Sequence, residues 1–456
     1  MCYGSSFRTS TGSGRARALL ALAGWLSVCV HGAAPLAAPP ETGIDLELAA
    51  SHFAEARAIS DRDGGDTWGR PLFGPMLLVD RATRELVANV ADGHGALQRA
   101  DDLFIGRLPD EVNCANTAVD WAGVHWTMML WPLPEDSAQR ARLMMHESFH
   151  RIQDKIGLSM ANPDNAHLDT REGRIWLQLE WRALHRALGS DGESRRTAVR
   201  DALSFRTWRQ RLFDGAADGE RALELNEGLA EYTGIRTAHP EKRRTVVARS
   251  ALDAGPGKTT FMRSFAYVSG PAYGLLLDQA DPHWRSSLDQ ASDLGALLAQ
   301  AWKIDLPETT EAGVQRAAQR YDASSLIDAE TERDRSRQAQ AELDRRRLIE
   351  GPILMLTLTE DTRYSFNPGN LRALGGVGTV YPTLRVTDRW GILDVDGGAL
   401  MTRAEGRASG VHVPSPRHPP DGQRVVGDGW ILTLEPGWSL EAADRPGDYR
   451  LRSHPD

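Results

Sequence analysis

Apolar residues spaced three and four apart run from Ile44 to Ile59 and stop at the breaker Asp63-Gly64-Gly65, which predicts a helix. The pattern then becomes extended. Met76-Leu77-Leu78-Val79 and Leu86-Val87-Ala88-Asn89-Val90 flank polar residues Asp80 to Arg84, so Pro71 to Val90 reads as a hairpin. Trp126 to Trp131 is a further strand, closed by Pro132 and Pro134. From Ser137 to about Ala323 helical spacing dominates, including expected helices at Glu172 to Leu188, Arg195 to Phe213 and Pro271 to Leu277. A small N-terminal sheet followed by many helices is an α+β arrangement.

Ala329 to Arg347 interleaves both signs of charge, the pattern of a solvated connecting helix crossed by few buried contacts. Beyond Gly351 the spacing shortens to strands punctuated by Gly and Pro, at Ile353 to Thr357, Gly378 to Val386, Ile392 to Val395 and Trp430 to Leu434. The expected organisation is therefore a segment 1–38 set apart below, a mostly helical domain 39–328, a connecting helix 329–350 and a β-rich accessory domain 351–456.

The chain has 456 residues, 41% hydrophobic and 25% charged, and a formal charge of −9, so it folds and carries no global polyanion-binding footprint. Nucleic acid is not an expected partner. In residues 1–38, Arg8, Arg15 and Arg17 precede an apolar run from Ala18 to Val30 and then small residues. This is the order of a signal peptide cleaved between Ala33 and Ala38. The run is shorter than the ~20 residues of a spanning helix, so the mature chain is expected in the periplasm or outside the cell with no membrane span. Cys114 is then the lone cysteine and reads as a buried small hydrophobe.

The chemistry concentrates in His146-Glu147-Ser148-Phe149-His150, an HExxH pattern in a helical run from about Ala138 to Lys155. Residues four apart share one helix face, so both imidazoles can reach one zinc ion while Glu147 projects toward a water. Downstream lies Asn226-Glu227-Gly228-Leu229-Ala230-Glu231-Tyr232. Together these segments resemble the gluzincin metallopeptidases, the thermolysin and aminopeptidase-like group. That resemblance implies a zincin-like catalytic domain, Glu227 as third zinc ligand and Glu231 as a carboxylate supporting a zinc histidine.

In the same group a tyrosine in a Y-x-x-G context helps stabilise the oxyanion, and Tyr267-Val268-Ser269-Gly270 matches it, with Tyr232, Tyr273 and His283 as other candidates. The resemblance further implies hydrolysis of peptide or protein substrates, with Glu147 as general base. The group's G-x-M-E-N segment, which captures an amino terminus, has no counterpart before His146.

Between the two motifs, residues 151–226 form a long helical insert that offers His167, Asp169, Glu172 and Glu180 as rival ligands, of which Asp169 and Glu172 lie nearest the usual distance after His150. The strand Trp126 to Trp131 precedes the helix where the resemblance implies an edge strand, to which an extended substrate could pair. Gly255-Pro256-Gly257-Lys258-Thr259 lacks the first glycine of a phosphate loop. Two non-peptidase readings stay open. One is a noncatalytic envelope protein in which the site is a structural zinc clip or a partner-binding surface. The other is a glycan-binding role for the tail, whose Trp390, Trp430 and Trp438 could stack on sugars or fill a core.

Overall fold

The computed structural model describes residues 42–305, 310–367, 370–404, 407–420 and 422–454. The expected signal segment lies outside the described residues. After helix α1 (Leu46–Asp63), a six-stranded sheet is built from β1 (Met76–Asp80), β2 (Glu85–Ala88), β3 (Gln98–Ala100), β4 (Leu103–Arg107), β5 (Thr117–Trp121) and β6 (Val124–Trp131). Its order is β3-β4-β2-β1-β6-β5, with β1 and β6 parallel and the other pairs antiparallel. The continuous apolar run of β1 follows from burial on both faces: Met76 and Leu78 join the helical core, while Leu77 and Val79 join a second cluster with Trp126 and Met128.

One expectation fails here: β6 is not an edge. Ala122 and Gly123 both take positive φ, 49° and 77°, forming the tight turn that folds β5 back onto β6. The free edge therefore belongs to β5.

The helices are α2 (Ser137–Gln153), α3 (Arg171–Leu188), α4 (Gly192–Leu212), α5 (Ala216–Leu223), α6 (Leu229–Ala238), α7 (Glu241–Ala254), α8 (Ser264–Ala280), α9 (Leu294–Ala301), α10 (Glu311–Ala318) and α11 (Ala323–Arg345). Asp136 caps α2 by accepting from the Gln139 N–H, and Thr170 caps α3 by accepting from Gly173. α8 is longer than expected and runs through Pro271. Between α5 and α6 the residues Glu224–Gly228 form a π-turn, in which the Leu229 N–H reaches the Glu224 carbonyl. Gly228 and Gly270 let this turn and α8 touch backbone to backbone, since a Cβ at Gly270 would fall 2.4 Å from the Gly228 Cα.

The C-terminal strands form two sheets. The first, in the order β17-β18-β7-β14-β13-β10-β9, contains β7 (Ile353–Thr357), β9 (Arg372–Leu374), β10 (Gly378–Tyr381), β13 (Ala399–Ala404), β14 (Arg407–Pro414), β17 (Trp438–Ala442) and β18 (Tyr449–Ser453). The second, in the order β15-β16-β12-β11-β8, contains β8 (Arg363–Phe366), β11 (Leu384–Asp388), β12 (Gly391–Val395), β15 (Arg424–Gly427) and β16 (Trp430–Leu434). The expected strand Gly378 to Val386 is thus two strands in different sheets, divided at Pro382. Leu354, Leu356, Val411 and Val413 from one sheet share a core with Val386, Leu393 and Leu432 from the other.

The α+β class and the β-rich C-terminal region hold. The connecting helix, however, is not merely solvated. Arg174, fully buried on α3, donates to Glu330, which also accepts from Gln178 at 2.6 Å. Arg372 grips Asp344 with two bonds of 2.8 and 2.9 Å. Charge alternation marked α11 as exposed, but these two carboxylates turn inward because arginines from both neighbours meet them. The helical and β-rich parts belong to one compact unit, and Met262 of the helical part sits inside the β-rich core.

Candidate metal centre

α2 carries His146 and His150 on one face, both buried. The π-turn brings Glu227 opposite them. Glu227 Oε2 lies 3.4 Å from His146 Nε2 and 3.5 Å from His150 Nε2, and the two imidazole nitrogens are 3.2 Å apart. Donors about 2.0–2.2 Å from a tetrahedral zinc stand roughly 3.3 Å from one another, so this triangle has the size that such an ion requires. These three residues form the group of possible ligands found among the described residues.

The outer nitrogens are fixed as well. His146 Nδ1 bonds Glu231 Oε2 at 3.0 Å, and His150 Nδ1 bonds Gln153 Oε1 at 3.0 Å. Each acceptor favours a proton on Nδ1 and leaves Nε2 to face the centre. Arg142, one turn before His146, pairs with Glu231. Arg263 donates to Glu227 Oε1 and to Asn162 Oδ1, at 2.8 and 2.7 Å.

Burial opposes charge on Glu227, but the histidine hydrogen bonds and charges hold its carboxyl well below the usual range. At His150 burial works against the cation, yet the Glu227 hydrogen bond and the charges of Glu147 and Glu227 raise the ring to about 9. Glu147 moves the other way from Glu227: burial pushes its carboxyl up against the pull of the two histidines. Its Oε2 is buried and has no hydrogen-bond partner among the described residues. A buried carboxylate oxygen left this way is costly unless a bound group meets it.

Tyr267 on α8 also reaches the centre, stacked 5.5 Å from His146 and donating to Glu227 Oε2 at 2.5 Å. The other candidates do not. Tyr232 donates to Asp278 at 2.8 Å and Tyr273 to Glu180 at 2.7 Å, both within the core, while His283 is exposed before a short turn.

Among the rival ligands, Asp169 accepts from Thr260 and the Phe261 N–H, His167 bonds Glu220, Glu172 faces solvent beside Arg171, and Glu180 meets Arg209. Cys114 is buried in the second sheet-face cluster, where burial raises its thiol pKa and suppresses nucleophilicity. The glycine-rich segment forms a short turn after α7, with no strand feeding it.

The centre opens into a cleft of about 850 Å³. Asn116 and Thr117, at the start of β5, line one part of it. Although 351–456 is expected as an accessory domain, Tyr364, Phe366 and Tyr381 of that region line the same cleft. Trp390 and Trp430 are core residues whose indole nitrogens donate to Thr357 and Pro414 carbonyls, so they form no exposed stacking platform. Arg142 and Arg263 also escape the sequence reading; their only signal is a spacing of one helical turn ahead of His146 and Tyr267.

No helix among the described residues is long and apolar enough to cross a membrane. Comparison of the chain with protein-family models, curated proteins and solved structures found no match.

Proposed function

We propose that the protein is an exported, zinc-dependent metallopeptidase of the gluzincin kind. The observation that carries this reading is the triangle of His146 Nε2, His150 Nε2 and Glu227 Oε2 beside the partnerless Glu147 oxygen. Those three residues would hold the zinc, which when bound supplies Lewis-acid polarisation and lowers the pKa of water. Glu147 takes a proton from the attacking water and passes it to the leaving amine. A carboxyl raised by burial suits both halves of that transfer.

Glu231 and Gln153 keep the imidazoles oriented, while Arg263 and Tyr267 hold Glu227. An extended peptide can pair with the free edge of β5, whose first residue Thr117 lines the cleft. The charged, apolar, small-residue order of residues 1–38 supports export. A purely structural zinc clip would need neither the open cleft nor Glu147.

The test is Glu147→Gln, which keeps the side-chain shape but cannot accept the proton. The purified chain is expected to contain zinc and cleave a mixed peptide library, and the variant to keep its zinc while turnover falls about 10²–10⁴-fold. Equal turnover in variant and parent would overturn the mechanism.

A further inference from the structure

The cleft has a wall that metal chemistry does not require. Tyr364 and Phe366 lie two apart on β8, the outermost strand of its sheet, and therefore share a face. Their rings are 5.9 Å apart and inclined by 28°. Both meet Tyr381 edge-on, at 6.5 Å for Tyr364 and 5.0 Å for Phe366. Tyr381 is buried, whereas Tyr364 and Phe366 are only half-buried and line the same cleft as His146 and Glu147. Leu371 and Met262 continue the apolar surface.

The arginines that line the cleft already have internal partners. Arg142 meets Glu231, Arg263 meets Glu227, and Arg403 meets the Tyr381 side chain. What this wall offers an incoming ligand is aromatic surface.

We propose that Tyr364 and Phe366, backed by Tyr381, form a specificity pocket for a large apolar or aromatic side chain of a peptide substrate, an inference that rests on the peptidase reading. A phenylalanine side chain entering the pocket leaves water and gains edge or offset contacts with two rings that the fold already holds in position. The C-terminal region then selects substrate while the helical region carries the metal chemistry.

The experiment uses the full chain carrying Glu147→Gln and loaded with zinc, so that peptides bind without being turned over. Labelled hexapeptides that carry Phe, Leu or Ser at a single position, scanned along the peptide, are compared by fluorescence anisotropy. At one position the Phe peptide is expected to bind at least about tenfold more tightly. Tyr364→Ser and Phe366→Ser should each reduce that ratio below about threefold with zinc content unchanged.

If the serine variants do not fold, Tyr364→Leu and Phe366→Leu carry the test. They keep apolar volume and should shift preference from Phe toward Leu by about threefold. An unchanged ratio in the folded variants, or no preference at any position, overturns the pocket. Peptide cleavage by the parent without such a preference sinks the pocket alone. A preference that the variants abolish, in a parent that cleaves nothing, sinks the peptidase reading and leaves the pocket standing.

Discussion

The Tyr267 ring lies 8° from parallel with the His146 imidazole, its centroid 5.5 Å away, while its hydroxyl donates to Glu227 Oε2. One side chain thus braces two of the candidate donors. Burial and the Glu227 charge push the phenol well above its ordinary pKa, so it stays a donor throughout the neutral range. In the peptidase proposed above, this hydroxyl would have to leave Glu227 before it could serve a developing oxyanion.

Glu227→Ala should weaken zinc binding far more than Asp169→Ala or Glu172→Ala, as measured by competition with a chelator. Asp169→Ala should act on stability instead. It leaves Thr260, the Phe261 N–H and Arg337 without their buried carboxylate, at a cost of roughly 3 kcal/mol. Loss of zinc from the Asp169 or Glu172 variant, with retention by Glu227→Ala, would assign the wrong ligand.

Removing Glu231 frees the His146 ring to turn and breaks its link to Arg142. Glu231→Ala should lower zinc affinity by about 10–100-fold, short of the loss caused by removing a direct ligand. Glu231→Gln, which can still accept from Nδ1, should recover part of it. If both variants bind zinc like the parent, the outer carboxylate has no orienting role.

The metal-free protein should lose stability on the alkaline side. The folded pKa of His150, about 9, stands above its ordinary 6.5, so its contribution is fully present below about pH 6.5 and lost as pH rises through about 9. Glu227, held low, stays charged across that window. Urea denaturation of the zinc-stripped protein at about pH 6 and about pH 9.5 should show the fall, and His150→Gln should flatten it. Because zinc requires the neutral ring, apparent zinc affinity should rise over the same interval. A flat stability profile would contradict the assignment.

Met262→Ala should destabilise the whole chain by about 2–5 kcal/mol, since this side chain of the helical part is 4% exposed within the β-rich core. Thermal unfolding should shift as one transition. A surface-like change below about 0.5 kcal/mol would mean that the β-rich part is not anchored there.

Much of the helical region was legible because its signals are local. The four-residue step from His146 to His150 is a property of one helix, and burial of both faces of β1 is written in its unbroken apolar run. Glu227 could be singled out because the residues around it carry a recognisable pattern. The contacts that complete the centre are different in kind. Arg263 and Glu227 lie on separate elements, and nothing near either residue announces the pair. Tyr364 and Phe366 read as ordinary alternating strand residues until the sheets dock against the helices. α11 misleads for the same reason: its alternating charges do not reveal that Glu330 and Asp344 meet arginines from opposite neighbours.

The contact between Gly228 and Gly270 makes the centre a matter of tolerance as well as composition. A methyl group at Gly270 would leave every candidate ligand in the sequence and still wedge the π-turn away from α8. Because α8 carries Tyr267 and is preceded by Arg263, the wedge would separate Glu227 from the groups that steady it. The two hydrogen atoms of Gly270 therefore act as a mechanical gauge, setting the backbone distance that keeps Glu227 beside the groups that steady it.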